Sequence, residues 1–172
     1  MEVTGYQLML ALKELAFAKE AAESVFDNSL YKFADEVKPT PVEAMEALAK
    51  AETFFANTQA AQAMYNLAVR VQVQGEEMTL ALAVKLVGSA GRMEKKWRDA
   101  SKPKTLDRYD FRDSLKRSVE EGTEYATKQI ELKDAQKLAK SAAKYATALR
   151  EAVQTGNAVK IEIEGLNPAL FE

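Results

Sequence analysis

The chain has 172 residues with no cysteine and no histidine, and its 24 lysines and arginines against 26 acids leave a formal net charge of −2. These counts exclude a disulfide framework, a thiol nucleophile and the usual structural zinc site. They equally exclude an imidazole base, a Ser-His-Asp triad, a histidine-held haem and a Glu-x-x-His di-iron bundle. Any chemistry would have to run on carboxylates, lysines or tyrosines. Apolar residues make up 47%, with only 7 glycines and 4 prolines, which is helical-protein composition. The length suits a single helical domain, 1–172, that can bury a core without staples. The opening Met-Glu-Val-Thr-Gly has no basic stretch ahead of an apolar one, and Gln7 to Phe17 is broken by Lys13 and Glu14. No run approaches the roughly 20 apolar residues of a membrane helix. The expectation is a cytoplasmic protein with no membrane span.

Thr4 can cap a first helix reaching about Phe26, with Leu8, Leu12, Leu15, Ala18, Ala22 and Val25 on one face. Asp27-Asn28-Ser29 is turn chemistry, and Leu30 to Phe33 reads as a short amphipathic piece folding back onto the core. Thr40-Pro41-Val42-Glu43 is the clearest helix start, combining an N-cap threonine, proline at the first position and glutamate at the third. The helix it opens can run to near Val69 on a seam of mostly small residues, Ala47, Ala51, Phe54, Thr58, Ala61, Tyr65 and Ala68. Small seams let helices approach closely, as in an antiparallel hairpin. Val69 to Val73 then alternates apolar and polar side chains before Gly75, predicting a short strand and a turn.

Thr79 caps a third helix, Leu80 to about Arg98, apolar over two faces and therefore expected to be central. Leu106 to Gly122 is heavily charged, and Tyr125 to Leu132 reads as extended, able to pair with Val69–Val73 in a small ribbon. A fourth helix starts between Leu132 and Asp134, with Ala135, Leu138, Ala142, Tyr145, Leu149 and Ala152 in step. Val159, Ile161 and Ile163 alternate as in a strand, but Val159, Ile163 and Leu166 also continue the heptad, and the reading leans to helix. Tyr65, Tyr145 and Trp97 are expected in the core, their polar ends partnered.

The order of these elements is similar to that of the septicolysin-like family, small bacterial helical proteins mostly described as of unknown function. The resemblance rests on the leucine-rich first helix, the Pro-initiated second helix ending at Tyr65-Asn66, Gly75 with Thr79-Leu80, the Tyr125-x-Thr127 stretch and Asn167. The segment Arg108 to Glu121 departs from the pattern as an insertion, and only Asn66 remains of its polar Asn-x-Thr-Asn region. The resemblance implies a helical fold and no particular reaction.

Candidate chemistry is sparse. Glu76 and Glu77 flank a turn, and Glu120, Glu121 and Glu124 cluster before the extended stretch; acids so placed are usually solvated or face a helix dipole. Asp107, Asp110 and Asp113 are spaced for one helix face, as a cation site would need, yet Arg108 and Arg112 interleave with them. Gly88-Ser89-Ala90-Gly91 lacks the lysine-threonine ending of a phosphate loop.

The basic segment says more. Between Arg92 and Arg117 ten basic residues face five acids, and Arg92, Lys95, Lys96, Trp97, Arg98, Lys102, Lys104, Arg108, Tyr109 and Arg112 form a candidate interaction patch. Residues 1–86 are net −5 and residues 87–172 net +3. Such polarity serves self-association. Basic charge with interleaved aromatics also suits nucleic-acid contact, although a pI near 5.5 and the lack of a recognition motif weigh against it. The sequence therefore predicts a mainly α bundle built on a long antiparallel helical hairpin, with a small two-stranded β-ribbon possible. Its expected role is non-enzymatic, structural or interacting, as a homo-oligomer without cofactor. Nucleic-acid binding is the alternative, and a carboxylate- or metal-dependent hydrolase the third.

Overall fold

The structure, a computed structural model, describes residues 1–102 and 129–171. It is mainly α. In chain order come strand β1 (Glu2–Val3), helix α1 (Gly5–Ser29), helix α2 (Pro41–Ala68), and strands β2 (Arg70–Val73) and β3 (Glu76–Thr79). Helix α3 (Leu80–Ala100), helix α4 (Leu132–Ala158), strand β4 (Ile161–Glu162) and a 3-10 turn at Pro168–Leu170 follow. Contacts divide the chain into two compact units, one of Met1–Val84 with Glu151–Glu172 and the other of Lys85–Arg150.

In the first unit both long helices open on reciprocal capping boxes. The Thr4 hydroxyl accepts from the Gln7 amide, and the Thr40 hydroxyl accepts from the Glu43 amide while the Glu43 carboxylate accepts from the Thr40 amide at 2.8 Å. Those bonds use donors that a helix start otherwise leaves unpaired, and the Thr40 amide bond holds the Glu43 carboxyl below its usual range. Helices α1 and α2 form the hairpin that the seams predict. Leu8, Ala11 and Leu15 are buried on α1, and Ala44, Thr58, Ala61 and Tyr65 on α2. Lys19 reaches across to Glu52 at 3.4 Å and over the Phe55 ring. Of the seam residues expected on α2, Ala47, Phe54 and Ala68 lie exposed instead, because the buried stripe drifts around the helix with its 3.6-residue period.

Tyr65 ties the ends of this unit together. Its ring is fully buried, and its hydroxyl is shared between the carbonyl oxygens of Gly156 and Val159, each at 2.7 Å. Gly156 and Gly5 provide the room. A Cβ on Gly156 would stand 2.7 Å from Val71 Cγ1 and 2.9 Å from a Leu80 methyl, and one on Gly5 would collide with Asn157 Oδ1 and the Tyr65 ring.

Three local expectations need correction. The strand at Arg70–Val73 is present, but the partner described for it is Glu76–Thr79, antiparallel with Val71 opposite Met78. Gln74 and Gly75 both take positive φ, 52° and 92°, which makes the two-residue turn that lets a strand return at once. Such short-range closure costs less chain entropy than a distant partner. Residues 125–128 lie outside the described residues, and helix α4 begins at Leu132.

The second correction concerns 159–163. Helix α4 ends at Ala158, and Ile161–Glu162 is a strand antiparallel to Glu2–Val3. The Met1 amino group donates to the Ile163 carbonyl at 2.9 Å, and the Ile163 amide donates back to Met1. The alternating reading wins because residues 1–3 supply a backbone partner that no local window contains. Third, Leu30 to Phe33 does not fold onto the core: Tyr31 and Phe33 are 84% and 77% exposed. Helix α1 runs on to Ser29, and the tip is held by polar bonds, Glu36 accepting from the Phe33 amide and Lys38 donating to the Tyr31 carbonyl.

In the second unit the C-terminal part of α3 and the N-terminal part of α4 bury Ala90, Ala135, Ala146 and Leu149. Trp97 and Tyr145, expected in the core, are half-buried. On α3 as a whole Leu82, Val84 and Met93 are exposed, so the helix is less central than its wide apolar arc suggests.

Burial pushes the Tyr65 hydroxyl above the ordinary tyrosine value of 10.0. The folded state thus favours the neutral hydroxyl, and this contribution is full below the unfolded value and lost as pH rises through the folded one. Tyr65→Phe is expected to destabilise the protein by about 1–3 kcal/mol. It should also remove part of the stability loss above about pH 10, as read by urea unfolding at a series of pH values.

Candidate interaction surfaces

Helix α3 carries the described half of the basic patch. Arg92, Lys95, Lys96 and Arg98 are exposed along it, and Lys102 lies just beyond its end. Lys104, Arg108, Tyr109 and Arg112 fall outside the described residues, as do Asp107, Asp110, Asp113, Glu120, Glu121 and Glu124.

The acids within this stretch are already engaged. Glu94 lies 3.8 Å from Arg98 and 3.6 Å from Arg150 of α4, an ion pair that links the two helices of this unit. Asp99 accepts a 2.8 Å bond from Lys102. That bond, with the Lys102 charge and those of Lys95 and Arg98, holds the Asp99 carboxyl below its usual range. The positive field on α3 is therefore concentrated towards Arg92, Lys95 and Lys96. Glu76 and Glu77 stand exposed on β3, the Glu77 carboxylate accepting from the Gln72 side chain at 3.4 Å. Among the described residues no group of three or more acids is placed to hold a metal ion. No helix there is long and apolar enough to cross a membrane.

A second surface, which the sequence reading missed, lies on the first unit. Tyr6, Leu10 and Phe17 on α1 are 47%, 58% and 62% exposed. At 3.6 residues per turn they fall on the side of α1 opposite Leu8, Ala11 and Leu15. Helix α2 repeats the arrangement with smaller side chains. Val42, Met45, Ala49, Ala56, Ala60 and Leu67 are exposed on the side away from its buried stripe. Each helix of the hairpin thus has two apolar stripes, one used within the hairpin and one open. The signal was in the sequence as the spacing of Tyr6, Leu10, Phe17 and Ala21, masked by the stronger leucine stripe beside it.

Two depressions also lie on this unit. One is an open groove along α2 lined by Glu43, Glu46, Lys50, Thr53 and Phe54. The other, smaller, lies between α2 and the C-terminal tail, lined by Phe54, Asn57, Thr58, Leu166 and Leu170. The second has only amide and hydroxyl polar groups, and the Thr58 hydroxyl is spent on the Phe54 carbonyl at 2.9 Å. The first sets Glu43 and Glu46 beside Lys50 in an open groove, and the second is lined by no charged side chain. Comparison with protein-family models, curated proteins and solved structures gives no match to this chain.

The ion pairs at Glu94 are solvent-exposed on their basic side, so their worth is modest. Glu94→Gln is expected to cost less than about 1 kcal/mol. The loss should shrink further in high salt, measured by thermal unfolding at two ionic strengths.

Proposed function

We propose that this protein is a non-enzymatic, self-assembling structural or interaction protein of the cytoplasm. The observation that carries the reading is the open apolar stripe on each helix of the α1–α2 hairpin. Exposed apolar surface costs free energy at about 25 cal/mol per Å², and contiguous patches of it on a folded protein mark association sites. The absence of histidine and cysteine from the whole chain agrees with a role that needs no catalytic centre. The element order also supports grouping the chain with septicolysin-like bacterial helical proteins, through Pro41 at the start of α2 and Gly75 with Thr79-Leu80 at the start of α3.

Light scattering at micromolar concentration is expected to give a mass that is a multiple of the 19.0 kDa chain. A single-chain mass across the whole range would overturn the proposal.

The exposure of Arg92, Lys95 and Lys96 along α3 supports a second reading, contact with a nucleic-acid backbone. Its expected sign is salt-sensitive retention on a DNA or RNA column, abolished by reversing Lys95, Lys96 and Arg98. Failure to bind at low salt would remove it.

A further inference from the structure

We propose that copies of this chain join head to tail through the hairpin, the outer face of α1 in one copy seating antiparallel on the outer face of α2 in the next. The inference rests on the self-assembly reading and specifies its interface. Its first support is size. The α1 face presents large side chains, Tyr6, Leu10 and Phe17, whereas the middle of the α2 face is alanine, at Ala49, Ala56 and Ala60. Inside one hairpin Leu8 and Leu15 on α1 are buried with Ala44, Thr58 and Ala61 on α2, and Tyr65 is the large exception at the end of the α2 stripe.

Register is the second support. Setting Leu10 of one copy opposite Ala56 of the next brings Tyr6 opposite Ala60 and Phe17 opposite Ala49, since both faces repeat at the same helical steps. Each large side chain then meets a methyl-sized one, which permits close helix approach.

Charge supplies the third support and chooses between symmetries. The α1 face is interrupted at its middle by Lys13 and Glu14, one on each flank of the stripe; on α2, Glu52 flanks the stripe on one side and Lys50 lies further round the helix on the other, about 100° from the stripe's centre. In the alignment above the antiparallel geometry puts Lys13 on the same flank as Glu52, and Glu14 on the same flank as Lys50. Glu52 is half-exposed while bonded to Lys19, so it can accept a second cation. A two-fold pair of α1 faces with its axis at the middle of the stripe would instead set Lys13 against Lys13 and Glu14 against Glu14, and one of α2 faces centred likewise would set Glu52 against Glu52. Like charges so opposed disfavour both pairs. The interface is therefore heterologous: every copy keeps one face of each kind, and assembly continues from chain to chain until it closes as a ring.

Two variants on exposed positions test this, Phe17→Asp on the α1 face and Ala56→Asp on the α2 face, each first shown by circular dichroism to keep its helix content and unfolding midpoint. Each alone is expected to run as a single chain, and an equimolar mixture to yield a complex of one copy of each, detected by native mass spectrometry with one variant isotopically labelled. Glu14→Lys is expected to weaken wild-type association several-fold, and Lys50→Glu in the same chain to restore it. If Ala56→Asp alone still pairs, or the mixture stays single-chain while the wild type assembles, the head-to-tail interface is wrong. A wild type that never assembles would instead refute the self-assembly reading on which the interface rests.

Discussion

The Tyr65 hydroxyl is the constraint around which the first unit is organised. Residues from four elements meet there: Tyr65 near the end of α2, Gly5 at the start of α1, Gly156 and Val159 at the end of α4, and Val71 of β2 beside Gly156. The last carbonyls of a helix have no partner within it, and at the end of α4 they are answered by a phenol from a helix about ninety residues earlier in the chain. A buried hydroxyl left without an acceptor would cost of the order of 1–3 kcal/mol, so the phenol and the helix end depend on one another. The two-stranded pairing of Glu2–Val3 with Ile161–Glu162 is adjacent in sequence to both Gly5 and Val159. Strands of two residues are too short to persist alone. They hold because Val3 and Ile163 are buried where Tyr65 has already brought the two ends together.

Helix length and side-chain size divide the labour in the hairpin. A helix has room for two apolar stripes, and both α1 and α2 use that room. The buried stripe satisfies the fold, with leucines from α1 and mostly small residues from α2 permitting close approach. The open stripe repeats the large-and-small division on the outside. Among the described residues Phe17 and Leu10 stay largely exposed, on the side of α1 away from the buried face. Their cost to a solitary chain is what makes the surface informative.

Charge behaves differently from the impression left by counting. An acidic first half and a basic second half suggested assembly through net polarity. Local pairing alters that picture: Glu94 is held between Arg98 and Arg150, and Asp99 is bonded to Lys102, so much of the charge within α3 is balanced on the spot. What remains specific is the placement of single charges at the interruptions of apolar stripes, where Lys13, Glu14, Lys50 and Glu52 decide which faces are compatible. Screened charges on an open surface contribute little to affinity, but opposed like charges select against wrong pairings.

Local chemistry made the helices legible. Thr4, Thr40, Pro41 and Thr79 mark starts that the structure reproduces, because capping involves residues three apart and needs no distant partner. The strand at Arg70–Val73 and the turn at Gly75 were readable for the same reason. The sequence by itself therefore determined a mainly helical chain with a long hairpin and the positions of its caps. Tertiary structure decided which of two stripes on each helix is buried, and that Ile161–Glu162 is a strand. Each of those outcomes turns on a partner outside the local window. Backbone groups at a chain end, a phenol from another helix and the hand of helix packing are invisible to periodicity, which records that a face is apolar and not what will cover it.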